Sequence, residues 1–193
     1  CDLTDPGFEY VPFSSVSGHC RMNSVTCIAP TKTFNLAGLQ TAAVMVPDPV
    51  LRHKVWRGLN TDEVAEPNAF AITAAVAAFT EGGPWLDELR AYLAGNKRAV
   101  RAAIDAYNAS VDAARHVTLV EGDATYLLWL DCSALTDDTE RLCDHLLAEQ
   151  RLMLSPGAQF GGNGRYFVRI NAATQRERVD EGMRRLTAGL RSF

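Results

Sequence analysis

A stretch of twenty residues, 27–46, constrains the fold more than any other part of the chain. It reads CIAPTKTFNLAGLQTAAVMV and contains a single charged residue, Lys32. Apolar runs that end at proline predict two short β-strands, one ending at Pro30 and the other at Pro47. The continuous apolar character of the second run predicts a strand covered on both faces. We therefore expect Lys32 in a dry turn between two buried strands.

A lone ammonium group is rare among apolar residues, because removing it from water is costly in free energy. A lysine in a dry environment loses its proton more readily than one in water, and the neutral amine is a nucleophile. The chain has three lysines, Lys32, Lys54 and Lys97, beside sixteen arginines. Two interpretations of Lys32 stay open: a reactive amine, or a side chain that reaches water from a loop tip.

The composition argues against several classes of function. The chain has 193 residues and a formal net charge of −4, so it lacks the basic field that binds nucleic acid or anionic lipid. No apolar run reaches the roughly 18 residues of a membrane span. Five scattered cysteines without a C-x-x-C pair predict reduced thiols and no metal site. We expect a cytoplasmic protein without nucleic-acid or membrane partners.

Start and stop signals predict three helices after the second strand. Asp48 and Pro49 fit the N-cap and first position of one helix. Pro67 opens an alanine-rich helix, and Pro84 opens a helix of about 25 residues. A helix of that length can link two domains.

Residues 112–193 predict a small α+β domain with the order β-β-α-β-β-α. The first helix of this region is expected to turn Leu147 inward, together with Leu142 and Leu146. The last helix is expected to begin at a capping box formed by Thr174 and Glu177. The fold class predicted for the whole chain is α/β.

The segment APTKTFNLAGLQTA resembles the cofactor-lysine segment of the class I/II aminotransferase superfamily, the fold-type-I enzymes that use pyridoxal 5'-phosphate. It is most similar to the carbon–sulfur β-lyases of the MalY/PatB (cystathionine β-lyase) branch. The segments ATYLLWLDC, LSPGAQFG and FVRINAATQR resemble the same family in the expected order. The resemblance implies that residues 1–108 are the C-terminal part of a large cofactor-binding domain, and that residues 112–193 are the small C-terminal domain.

The resemblance assigns roles to three residues. Lys32 would bind pyridoxal phosphate covalently and then remove the substrate Cα proton, and Thr31 would help to hold the cofactor phosphate. Arg169 would bind the α-carboxylate of a small amino-acid substrate, which a planar guanidinium grips with two hydrogen bonds. From the residues alone, Arg169 could instead belong to a structural ion pair. Gln40 stands where many aminotransferases have arginine, which favours the lyase branch.

The implied activity is the cleavage of cystathionine or a cysteine S-conjugate to a thiol, pyruvate and ammonia. Members of the family are considerably longer than this chain, and the groups that hold the cofactor ring should precede Cys1. We therefore expect the C-terminal half of an enzyme that is inactive alone and forms a homodimer at full length. Two alternatives stay open: a class I/II aminotransferase, and a non-catalytic fragment or regulatory binding module.

Overall fold

The computed structural model describes every residue from Cys1 to Phe193. The chain forms two compact units, Cys1–Leu89 and Arg90–Phe193, and the division between them falls within the longest helix. None of the helices combines the length and the hydrophobicity that crossing a lipid bilayer requires.

The first unit contains a two-stranded antiparallel sheet and several helices. Its elements are α1 (Phe13–Val16), α2 (Gly18–Met22), β1 (Thr26–Ile28), α3 (Pro30–Thr33), β2 (Ala43–Met45), α4 (Pro49–Thr61) and α5 (Ala71–Glu81). Strands β1 and β2 pair with Cys27 opposite Val44, so both predicted strands are present. The predicted burial is wrong, because Val44 and Met45 are 36% and 47% exposed. Two short strands do not form a layer that buries both of its faces.

Side chains of the first unit decide where its helices begin. Asp48 caps α4 as predicted, through a hydrogen bond from the amide of Leu51. Helix α5 begins at Ala71 instead of near Pro67. The Asn68 side chain accepts a hydrogen bond from the amide of Phe70 at 3.0 Å. This local turn competes with the helix and delays its start.

The second unit is a four-stranded antiparallel sheet with helices packed on one face. Its elements are the major part of α6 (Gly83–Asn108), then β3 (Thr118–Leu119), β4 (Leu127–Asp131), α7 (Thr139–Gln150), β5 (Ser155–Pro156), β6 (Phe167–Asn171) and α8 (Arg176–Ser192). The strands lie in the order β3-β4-β6-β5. From β3 onward the elements follow the predicted order β-β-α-β-β-α.

Alternation along β4 and β6 separates a core face from an outer face of this sheet. Leu128, Leu130, Val168 and Ile170 are buried against the three helices. The helices contribute Val100, Ile104, Tyr107, Leu142, Leu146, Val179, Met183, Leu186 and Leu190 to the same core. The residues between these strand positions, Arg169 among them, lie on the outer face.

Two details of the second unit differ from the predictions. Helix α8 begins at Arg176, and no side chain caps it, so the capping box at Thr174 is wrong. The carbonyl of Thr174 instead accepts a hydrogen bond from the buried amide of Asn96. Leu147 is 50% exposed, whereas Leu146 is fully buried. Successive helical residues differ by about 100° around the axis, and this rotation turns Leu147 away from the core.

Candidate active site

Lys32 lies in α3, a single helical turn within the connection between β1 and β2. The expected position between two strands is confirmed, but the expected dry environment is wrong, because the side chain is exposed. The reason is the orientation of the turn, since the next residue, Thr33, is only 4% exposed and faces inward. No hydrogen bond or salt bridge of the structure engages the Lys32 ammonium group.

Thr31 precedes the lysine and is half-buried. Its carbonyl accepts a hydrogen bond from the amide of Leu36 at 2.9 Å, which ties the turn to the residues after it. Its hydroxyl group has no partner within the chain. An unpaired primary amine beside an unpaired hydroxyl fits a cofactor that carries an aldehyde and a phosphate, because the amine can attach to the aldehyde and the hydroxyl can donate to the phosphate.

Arg169 lies in β6 on the outer face of the sheet, opposite Trp129 of β4 and Ser155 of β5. Its Nη2 atom donates to the hydroxyl of Ser155 at 3.3 Å. Its guanidinium carbon lies 4.6 Å from the centre of the Phe160 ring. No carboxylate of the chain pairs with Arg169, so the structure does not contain the alternative ion pair. The half-buried guanidinium keeps donors available for a planar anion.

Three aromatic side chains, Trp129, Phe160 and Phe167, form an aromatic cluster beside Arg169. Trp129 meets Phe160 edge to face at 5.3 Å between ring centres, and it meets Phe167 in the same way at 6.2 Å. Such contacts hold the Phe160 ring against the guanidinium. No motif in the sequence singles out these residues or Ser155, because only the pairing register of the strands brings them next to Arg169.

The loop that carries Phe160 is held by a close approach of two glycine residues. A Cβ atom on Gly157 would overlap the carbonyl oxygen of Gly164, and a Cβ atom on Gly164 would overlap the carbonyl of Gly157. Both residues are buried. Any side chain at either position would push apart the two short turns that they begin, Gly157–Phe160 and Gly164–Tyr166.

The three residues expected at the site belong to separate compact units. Thr31 and Lys32 lie in Cys1–Leu89, where the structure brings them together in one turn. Arg169 lies in Arg90–Phe193, where Ser155 and the aromatic cluster orient it.

Comparisons with known proteins identify the family. Residues 16–186 match the model of the family described as aminotransferase class I and II. The chain is 39% identical over 189 residues to cystathionine beta-lyase PatB of Bacillus subtilis, an alignment that covers 98% of this chain and 47% of PatB. It is 30% identical over 184 residues to protein MalY of Escherichia coli, covering 95% of this chain and 45% of MalY.

A solved structure agrees with these relatives. The crystal structure of cystalysin from Treponema denticola, which contains pyridoxal 5'-phosphate, superposes with a TM-score of 0.90 at 25% identity. The match covers 99% of this chain and 47% of cystalysin. The predicted α/β fold of the pyridoxal-phosphate enzymes of fold type I is therefore confirmed. The chain spans about half the length of the curated relatives that it matches. By sequence and by fold, the chain belongs to the class I and II aminotransferase family.

Proposed function

We propose that the protein is a pyridoxal-phosphate-dependent carbon–sulfur β-lyase. It cleaves cystathionine or a cysteine S-conjugate to a thiol, pyruvate and ammonia, with the consumption of one water molecule. The observation that carries the proposal is the unpaired amine of Lys32 beside the Thr31 hydroxyl, in a chain that is 39% identical to cystathionine beta-lyase PatB over 98% of its length.

Lys32 has two tasks in this proposal. Its amine would hold the cofactor and would also accept the proton from the substrate Cα. When bound, pyridoxal phosphate supplies an electron-withdrawing ring that stabilises the negative charge left at Cα. Removal of this proton by Lys32 would allow the bond between Cβ and sulfur to break, and the thiolate would leave with the bonding electrons. Thr31 contributes its hydroxyl group as a hydrogen-bond donor to the cofactor phosphate.

Arg169 binds the α-carboxylate of the substrate. A guanidinium group offers two parallel N–H donors to a carboxylate, a geometry that lysine cannot reproduce. The hydrogen bond to Ser155 and the contact with Phe160 use one edge and one face of the group. Its remaining donors are then directed by side chains that are already in place, which reduces the entropy lost when the substrate binds.

Gln40 favours the lyase hypothesis over the aminotransferase hypothesis. It lies directly after the short helical turn Ala37–Leu39, in a left-handed conformation with φ of 48°. An arginine that holds the cofactor phosphate in many aminotransferases is absent at this position. With glutamine at this position, the cofactor phosphate has fewer cationic partners within this chain than it has in those aminotransferases.

Several properties of the whole protein form part of the proposal. Residues 1–108 belong to its large cofactor-binding domain, and residues 112–193 form its small domain. The full-length protein is a homodimer. Residues 60–70 are all exposed and are therefore available for contact with a second subunit, which supports this proposal. Its location is cytoplasmic, which fits five cysteines that are all free.

The attachment of the cofactor can be tested on the chain itself. Pyridoxal phosphate is added, the product is reduced with borohydride, and the modified lysines are identified by mass spectrometry. We expect label at Lys32 in preference to Lys54 and Lys97. Lys32→Ala should remove the preferred label, whereas Lys54→Ala, on exposed α4, is the matched control and should leave it unchanged. Equal labelling of all three lysines would contradict the assignment.

The reaction is tested on the full-length protein with cystathionine and no keto acid. We expect pyruvate and a thiol in equal amounts. Arg169→Lys should raise KM roughly tenfold or more, because it removes a bidentate, charge-assisted contact. Arg165→Lys, at an exposed position nearby, should leave KM unchanged. Amino-group transfer that depends on a keto acid, without pyruvate release, would assign an aminotransferase instead. The absence of both reactions would favour a non-catalytic binding module.

A further inference from the structure

A hydrogen bond between distant parts of the first unit holds the turn that carries Lys32. The hydroxyl of Thr33, the residue directly after the lysine, donates to the Oδ2 atom of Asp2 at 2.8 Å. Thr33 is only 4% exposed, and Asp2 is half-buried. A hydrogen bond to a carboxylate in such surroundings is stronger than one between neutral groups in water.

A second anchor follows at the next residue. The ring of Phe34 packs edge to face on Phe79 at 5.9 Å and lies 6.0 Å from the ring of Trp85. Gly82 leaves the space for this ring, since a Cβ atom there would lie 2.5 Å from Cε1 of Phe34. The aromatic contacts attach the turn to α5 and to the start of α6.

The two anchors determine the direction in which the lysine points. Side chains of consecutive helical residues are about 100° apart, so Phe34 lies on nearly the opposite side of the turn from Lys32. With Thr33 and Phe34 both facing inward, Lys32 must face outward, as observed. The far end of the segment is held as well, because the Asn68 side chain donates to the carbonyl of Leu39.

We propose that Asp2 and Thr33 are positioning residues for the Lys32 amine. Their hydrogen bond prevents the turn from rotating about its axis, and it keeps the Lys32 amine and the Thr31 hydroxyl in one orientation. This inference rests on the proposed role of Lys32. Any neutral amine can condense with an aldehyde, but an amine and a hydroxyl held together bind the aldehyde and the phosphate of the cofactor at the same time. An ordered turn therefore favours labelling at Lys32 over labelling at a lysine that binds the aldehyde alone.

The test compares three substitutions with a matched control. Thr33→Val keeps the shape of the side chain and removes the hydroxyl, Thr33→Ser keeps the hydroxyl, and Asp2→Asn keeps an acceptor but removes its charge. Thr80→Val is the control, because the Thr80 hydroxyl is exposed and bonds only within its own helix, to the carbonyl of Val76.

The first measurement needs no cofactor. Hydrogen exchange is followed at the amides of Phe34 and Leu36, which donate within the turn to the carbonyls of Pro30 and Thr31, each at 2.9 Å. We expect protection to fall roughly tenfold in Thr33→Val, the factor that a lost charge-assisted bond implies. Asp2→Asn should give a smaller loss, and Thr33→Ser should restore protection. The amide of Arg52 in α4, bonded to the carbonyl of Asp48, should not change.

The second measurement is the ratio of pyridoxal-phosphate labelling at Lys32 to that at Lys54, after reduction with borohydride. We expect this ratio to fall severalfold in Thr33→Val and to return in Thr33→Ser, while Thr80→Val stays at the wild-type ratio. If Thr33→Val does not fold, Asp2→Asn carries the same comparison, with an intermediate ratio expected.

The outcomes separate this inference from the proposed function. A wild-type chain that labels Lys32 preferentially, with the same ratio in Thr33→Val and Asp2→Asn, overturns the positioning role and leaves the role of Lys32 intact. A wild-type chain without preference for Lys32 overturns both. Reduced protection together with a reduced ratio, both restored by Thr33→Ser, supports positioning, because general loss of structure would also alter the exchange at Arg52.

Discussion

A buried amide, Asn96 of α6, joins that helix to the junction between β6 and α8. Asn96 is fully buried. Its amide nitrogen donates to the carbonyls of Ala172 at 2.8 Å and Thr174 at 2.9 Å. Its Oδ1 atom accepts from Nε of Arg176 at 2.8 Å. Both N–H donors of this side chain and one acceptor position of its oxygen are thus directed at one junction of the second unit.

Asn96→Ala should be among the most destabilising single substitutions in the second unit. It removes two neutral hydrogen bonds, at about 1 kcal/mol each, and one to a guanidinium, at about 2 kcal/mol. The expected loss is therefore about 4 kcal/mol, a large part of the roughly 5–15 kcal/mol by which a domain is stable. Asn96→Asp should also destabilise the unit, although it is isosteric, because a carboxylate cannot donate to the carbonyls of Ala172 and Thr174.

The assay is urea unfolding, combined with hydrogen exchange at the amides of β4 and β6, which report on the second unit alone. Asn60→Ala is the matched control, since Asn60 is exposed and makes one local bond, to the carbonyl of Trp56 at 2.8 Å. The control should change the free energy of unfolding by less than about 0.5 kcal/mol. A similarly small change for Asn96→Ala would refute the reasoning, because it would show that the three bonds contribute nothing beyond what water supplies.

Three further predictions concern glycine, thiol and carboxylate groups. Gly182→Ala should stabilise α8 by roughly 0.5–1 kcal/mol, since no atom lies within 4 Å of the added Cβ. Gly189→Ala, in the same helix, should destabilise it, because the added Cβ overlaps Leu146 and Gln150. Thermal melting measures both variants, and a change of Tm in the same direction for both would contradict the packing argument. At pH 8 a small thiol reagent should modify exposed Cys1 and Cys27 in the folded chain, but Cys132 and Cys143 only after unfolding, because burial raises the pKa of each of these two thiols to about 12. Rapid native modification of either buried thiol, read by mass spectrometry, would count against this assignment. Hydrogen bonds from Arg184 and Arg185 lower the pKa of Glu181 from 4.5 to about 2, so its stabilising contribution is complete above pH 4.5 and is lost as the pH falls toward 2. The difference in Tm between the wild type and Glu181→Gln should therefore shrink as the pH falls from 4.5 toward 2. A difference that grows on acidification would contradict the predicted lowering of the Glu181 pKa.

Local patterns predicted most of the secondary structure. Asp48 caps its helix as expected, and the segments LLWLD and FVRIN form two strands of the second unit, as predicted. The failures involve side chains with partners far along the chain. Thr174 looks like a helix cap in the sequence, yet its carbonyl is used by Asn96, and α8 begins two residues later.

The candidate site could be predicted only in part. The lysine, its neighbouring threonine and the arginine could be named from the sequence, because each lies in a short segment that resembles a motif of the family. The partners that orient them are not visible in this way. Ser155 reaches Arg169 through the pairing of β5 with β6, and Asp2 reaches Thr33 across thirty-one positions of sequence. Such contacts depend on strand register and chain reversal, which no local pattern encodes.

By itself, the amino-acid sequence indicated the family, through motifs that resemble known members, and it predicted the order of the elements from β3 onward. It also named the candidate site residues Lys32, Thr31 and Arg169. Only the tertiary structure decided that Lys32 faces outward, with no partner, on a turn anchored by Thr33 and Phe34. Only the tertiary structure also showed that Arg169 rests on an aromatic ring instead of a carboxylate. The physical reason is that direction and burial of a side chain depend on what packs against its neighbours, and those contacts come from residues remote in the chain.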